Sequence, residues 1–156
     1  IQNQVNLITV SLPEAIQQKY AILDMLGWFI KIPFVNRNQT IPTIHYGRWL
    51  MIDEGRRMLF MSEYDGSALA YIADFVNRLP NELDGLWGES YGWRRGATLD
   101  PEAFLDGILC HNTPSIYHYS AYPLTTVVSI GQARDLYHAY HENINAETAK
   151  RWLRYL

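Results

Sequence analysis

Residues 43–75 read TIHYGRWLMIDEGRRMLFMSEYDGSALAYIADF. Two apolar and aromatic runs flank Asp53-Glu54-Gly55. That tripeptide suits a hairpin turn, because glycine takes a positive φ without a Cβ penalty. The spacing predicts a strand over residues 41–52 and an antiparallel return over residues 57–64. Strand side chains alternate between faces. Ile44, Tyr46, Arg48, Leu50 and Ile52 therefore share one face, and His45, Gly47, Trp49 and Met51 the other. On the return strand Met58, Phe60 and Tyr64 oppose Leu59 and Met61. Neither face is cleanly polar, so both need cover. A helix should follow at once, with Asp65 or Ser67 as its cap. Leu69, Ile72, Phe75, Val76 and Leu79 form its apolar stripe, and Pro80 closes it.

Working outward, VNLITV at residues 5–10 is short and β-branched, which predicts a strand. Pro13 suits the first turn of a helix. Leu12, Ile16, Tyr20, Leu23, Leu26 and Ile30 recur at helical spacing, and the helix should end between Gly27 and Pro33. Residues 36–40 read as a polar connection. Residues 81–98 hold Gly85, Gly88, Gly92 and Gly96 with Trp87, Tyr91 and Trp93, and read as an ordered loop. Asp100-Pro101-Glu102 opens a helix to about residue 109. IYHYSAY at residues 116–122 is the expected fourth strand, stopped by Pro123. Residues 125–142 and 146–156 read as two closing helices. The order β-α-β-β-α-β predicts an α+β, ferredoxin-like antiparallel sheet with two helices on one face. Residues 1–125 form this domain, and residues 126–156 extend it with helices. Leaving the second apolar face wet would cost several kcal/mol, at ~25 cal/mol per Å². A homodimer packed sheet to sheet is the expected cover.

With 156 residues, 48% of them hydrophobic, the chain suits one domain with a real core. The net charge of −3 gives no basic field to attract nucleic acid or anionic lipid. Cys110 is alone, so no internal disulfide forms, which fits a reducing, cytoplasmic setting. The most apolar run, residues 21–32, is interrupted by Asp24 and Lys31. It falls short of the roughly 20 residues a bilayer needs, so no membrane span is expected. Eleven Tyr and five Trp are the unusual numbers, and such side chains suit cores, pockets and interfaces.

A resemblance rests on TIHYGRW, RRMLFMSEYDGS, YIADF, the N-terminal IQNQV and YSAYP at residues 119–123. Together they resemble a group of bacterial proteins in the dimeric α+β-barrel superfamily. These are distantly similar to dye-decolorising peroxidases and chlorite-dismutase-like haem proteins. The superfamily also includes small cofactor-free oxygenases and isomerases. The likeness covers most of residues 1–125 and stops at Pro123. It implies the barrel fold and an oxidoreductase with peroxidase-like or oxygenase-like chemistry, haem being the cofactor of the peroxidase-like case. The peroxidases carry a GxxDG motif whose Asp assists peroxide cleavage. Here the five residues are Ser62-Glu63-Tyr64-Asp65-Gly66, so the leading glycine is missing. Asp-Gly before a helix is also ordinary turn and cap chemistry.

His45 and His118 each lie in an expected strand among aromatics. An imidazole can act as a base near neutral pH or ligate haem iron. Sharing an interior face, the two would line one pocket with Arg48 or Tyr46 at its edge. The plainer reading is a pair of hydrogen-bonded, half-buried histidines. His138 and His141 stand three apart near Glu142, without HExxH or a third ligand, so no metal site is expected. Cys110 and His111 are helix neighbours about 100° apart and do not pair as nucleophile and base, and His111 is expected at the surface. The glycine-rich loop lacks every phosphate-cradling motif and reads as a lid or docking surface. The catalytic set to test is therefore His45, Arg48, Asp65 and His118. The alternative is a non-catalytic subunit or binding module of a larger assembly, favoured by the surplus of Tyr and Trp.

Overall fold

In the computed structural model of the chain, residues 2–30, 41–94, 96, 99–141 and 145–153 are described. Three strands form one antiparallel sheet: β1 (Gln2–Val10), β2 (Ile44–Ile52) and β3 (Arg57–Asp65), in the order β1-β3-β2. The register runs from Gln2↔Asp65 to Val10↔Arg57 on one side of β3. On the other side it runs from Ile44↔Tyr64 to Ile52↔Arg57, with an irregularity between Ile44 and Tyr46. The extra residue is His45, and such a bulge re-aims side chains. Ile44 consequently falls on the Trp49 and Met51 face, not with Tyr46 and Arg48 as plain alternation predicts. The hairpin is as the sequence predicts, with Asp53, Glu54 and Gly55 at φ of 51°, 58° and 87°. A Cβ on Gly55 would also sit 2.6 Å from Ile16 Cγ2, so glycine is needed there for space as well as for conformation.

One face of the sheet is buried. Val5, Leu7, Met58, Phe60 and Tyr64 lie beneath α1 (Ile16–Ile30), α2 (Ala68–Arg78) and α4 (Pro101–His111). A 3₁₀ turn over Pro13–Ala15 leads into α1. Ser67 caps α2 by accepting the Ala70 N–H at 3.2 Å, and Asp100 caps α4 by accepting the Glu102 N–H at 3.0 Å. Leu69 of the expected α2 stripe is exposed, and Tyr71 takes its place in the core. Tyr71 stacks on Tyr64 at 4.1 Å between ring centroids and donates its hydroxyl hydrogen to Ser62 Oγ at 2.6 Å. That hydroxyl bond lets a tyrosine bury its polar end.

The expected loop over residues 81–98 is helical in its first part. Pro80 opens α3 (Pro80–Leu83), and one π-helical turn follows at Asp84–Gly88. Proline suits a helix start as well as it stops one, and at Pro80 it does both, directly after α2. A Cβ on Gly85 would lie 2.5 Å from Ile22 Cδ1, so glycine lets this turn dock on α1. Leu83, Leu86 and Trp87 enter the core from it. Trp87 contacts Phe60 at 5.4 Å, Trp93 at 6.2 Å and Phe104 at 5.7 Å between centroids.

The expected fourth strand is absent as a strand. Residues 116–122 run beside β1 without a hydrogen-bonded ladder. Contact begins with the isolated bridge Leu7↔Asn112 and the Thr113 N–H donating to the Asn6 carbonyl at 2.7 Å. Pro114 then removes a donor, and side chains take over. Ser115 bonds Gln4 and Asn6, and Ser120 bonds Gln2. The chain ends in α5 (Val127–His141) and α6 (Ala146–Trp152), which contact each other. The expected helix end before Pro33, the polar connection at 36–40, Glu142 and residues 154–156 lie outside the described residues. Among the described residues no helix is long and apolar enough to cross a membrane.

Candidate functional site

β3 divides its residues by alternation. Met58, Phe60, Ser62 and Tyr64 are buried against the helices, while Leu59, Met61, Glu63 and Asp65 are half-buried on the opposite face. Register places Ile8, Asn6, Gln4 and Gln2 beside them from β1, and Leu50, Arg48 and Tyr46 from β2. This open face is apolar toward the hairpin, where Ile8, Val10 and Leu50 are 37%, 46% and 39% exposed. At the other end it is polar.

Two histidine–carboxylate pairs make up the polar end. His45 Nε2 lies 3.0 Å from Asp65 Oδ1, with side chains only 12% and 14% exposed. The bulge at His45 is what brings the ring to Asp65. The carboxylate's other oxygen, Oδ2, accepts the backbone N–H of Val127 at 2.8 Å. Val127 opens α5, so a carboxylate meets a helix N-terminus, where the dipole favours negative charge. That end is also closed by Thr126 and Ser129, each of whose hydroxyls accepts the other's backbone N–H. Burial pushes the Asp65 carboxyl up, but the hydrogen bonds from His45 and Val127 and the charge of His45 together hold it below the usual range.

The second pair is His118 Nδ1 with Glu63 Oε1 at 3.2 Å. The same oxygen accepts from Gln4 Nε2 at 3.0 Å and from the Tyr46 hydroxyl at 3.4 Å. The Tyr46 phenol is raised above its ordinary value by burial first, then by the Glu63 charge and the hydrogen bond to it. Glu63 and Asp65 stand two apart on one strand and so share a face. Four of the expected features thus fall at one end of the sheet: His45, Asp65, His118 and Tyr46. Arg48 shares the face but is exposed and makes no ion pair among the described residues. Glu63 was missed from sequence; its i, i+2 relation to Asp65 was the legible signal.

Haem fits this site poorly in the single chain. His118 has the right second partner, since ligating imidazoles are held by a carboxylate on the other nitrogen. Its Nε2, however, is buried and has no hydrogen-bond partner among the described residues. The Nε2 of His45 is taken by Asp65. Among the described residues no group of three or more His, Cys, Asp or Glu can hold a metal ion. His111 is half-buried, not at the surface: its Nδ1–H donates to the Gly107 carbonyl at 2.8 Å and its ring packs on Trp93. Cys110 is exposed.

The chain was compared with protein-family models, curated proteins and solved structures, and no match was found.

Proposed function

We propose that the chain is one half of a small-molecule enzyme with oxygenase-like oxidoreductase chemistry, working on the open sheet face with His45 as proton acceptor. The observation that carries this is the His45–Asp65 pair, whose carboxylate is fixed from behind by the N-terminus of α5. A carboxylate on Nε2–H fixes the tautomer and leaves Nδ1 as the basic nitrogen. In this reading Nδ1 takes a proton from an acidic C–H or O–H of the substrate. The electrons the substrate then loses pass to dioxygen. The apolar end of the face, with Ile8, Leu50, Leu59 and Met61, holds the hydrocarbon part.

The order β1-β3-β2, with α1 crossing between β1 and β2 and residues 112–120 lying along β1, supports a ferredoxin-like sheet whose fourth strand has loosened. A second copy packed on the open face would close the barrel and turn an open wall into a pocket.

Oxygen uptake with a panel of phenols and enolisable acids tests the reading. Wild type should consume oxygen with at least one of them, and Asp65→Asn at least tenfold more slowly, as expected for loss of a positioned base. Equal rates in both proteins count against it. Adding haemin separates the two chemistries: the oxygenase-like reading expects no new absorption band, and a stoichiometric haem band would favour the peroxidase-like case.

A second reading, a non-catalytic subunit of a larger assembly, is favoured by residues 116–124. Exposure of its large apolar and aromatic side chains runs from 73% for Tyr122 to complete for Ile116, with Tyr117, Tyr119 and Leu124 between. Co-purification with a stoichiometric different protein would support it.

A further inference from the structure

At the hairpin end, far along the sheet from Asp65, a lysine is sealed inside the molecule. Lys19 of α1 has no exposed surface. Its Nζ lies 2.8 Å from Ser90 Oγ and 3.2 Å from Ser11 Oγ, and both serines are themselves buried. These three side chains come from three places: α1, the residue after β1, and the loop beyond the π turn. Backbone bonds surround them. Leu12 N–H donates to the Glu89 carbonyl at 3.0 Å and Tyr91 N–H to the Val10 carbonyl at 2.8 Å, flanking the bridge Ser11↔Ser90.

With two hydroxyls as partners, a neutral amine uses its lone pair and one N–H and leaves one weak donor over, and it carries no charge into the interior. An ammonium also leaves one of its three donors over, and in addition places a full charge, with only two neutral hydroxyls as hydrogen-bond partners, where no surface is exposed. A buried donor without a partner is costly, and a buried charge more so. We propose that Lys19, Ser11 and Ser90 form a proton-operated clasp, which holds the loop at Ser90 to β1 when the amine is neutral and loosens when it is charged.

Two further observations fit. Burial lowers the Lys19 amine from 10.5 to about 8, against a smaller upward pull from the Glu89 carboxylate. Glu89 is the charged group that acts on Lys19 from the facing loop. From the hairpin, the Arg56 guanidinium turns instead to Glu54 and the Asp53 carbonyl. The sign follows from linkage. An opened clasp lets the amine return toward 10.5, so the open form binds the proton more tightly than the closed form. Opening is therefore favoured as pH falls toward 8 and suppressed as pH rises from 8 toward 10.5. Above about 10 the buried phenols of Tyr64 and Tyr71, both raised by burial, work in the opposite direction and limit the window.

Amide hydrogen exchange at Leu12 and Tyr91, corrected for intrinsic rate, reads the clasp directly. From pH 7 to pH 9 their protection should rise about tenfold in wild type and stay flat in Lys19→Met. A lysine side-chain NMR titration of wild type should show one amine with a midpoint near 8. If Lys19→Met does not fold, that titration and the wild-type exchange profile decide the matter alone. Protection that is flat in wild type, an equal rise in Lys19→Met, or a Lys19 midpoint at the ordinary lysine value would each overturn the clasp.

Discussion

Asp65 joins two unrelated parts of the chain with one carboxylate: His45 on the β2 bulge and the first N–H of α5. Asp65→Asn keeps the shape and one acceptor but loses the charge that both partners favour. The expected loss is about 1.5–3 kcal/mol, the range for hydrogen bonds to a charged group, measured by urea unfolding at pH 7. The pH dependence follows from the depressed carboxyl. A lowered folded value means that Asp65 stabilises the fold above the unfolded value near 3.8 and loses that contribution as pH falls through the folded one. Wild type and Asp65→Asn should therefore converge in stability in strong acid, and a constant gap down to the acid transition would show that Asp65 contributes nothing through its charge. His45 and His118 could be picked out from sequence as titratable groups in expected strands among aromatics, and Asp65 through the Asp-Gly pair that opens a helix. Their partners could not, since the bulge that turns His45 onto Asp65 leaves no mark in the alternation pattern. Lys19 was invisible for the opposite reason: on a helical wheel it is one more polar residue.

At the scale of elements, the hairpin and the aromatic core make sharper demands than the helices. Gly55→Ala places a Cβ in the left-handed region and against Ile16. It should cost at least 1 kcal/mol, on the order of the left-handed penalty alone. A stability equal to wild type would mean that the turn relaxes. The indole N–H groups of Trp49, Trp87 and Trp93 are buried without a hydrogen-bond partner among the described residues. Trp87→Phe removes one such donor along with part of the ring, whereas Trp87→Ala empties the centre of the cluster. Thermal unfolding should show Trp87→Ala losing about 3–5 kcal/mol and Trp87→Phe far less. Similar losses in both would place the value of Trp87 in an unseen hydrogen bond. The hairpin, the two capped helices and β1 were legible because turn glycines, cap residues and β-branched runs act locally. The fourth strand was misread for a non-local reason. IYHYSAY has the composition of a strand, but Pro114 and the side chains of Asn112, Ser115 and Ser120 decide how it meets β1.

For the whole molecule, α1, α2 and α4 cover one sheet face, and the other is met at its polar end by His118 and the N-terminus of α5. Three tyrosines at 73–79% exposure, with Ile116 and Leu124, offer on the order of 700–1,000 Å² if an aromatic ring buries 150–250 Å². Ile8, Val10, Leu50 and Tyr46 on the open face add to this. A standard interface buries about 800 Å² per partner, so one copy carries enough apolar surface for a stable dimer. Charge at the centre of the proposed sheet-to-sheet contact should break it: Leu50→Glu lies mid-strand on the open face and disturbs neither histidine pair. Analytical ultracentrifugation of wild type and Leu50→Glu at micromolar concentration is the most direct measurement. Twice the chain mass for wild type and a folded single chain for Leu50→Glu is the expected outcome. A wild-type protein that sediments as one chain at every concentration, its sheet face bare to water, would contradict it.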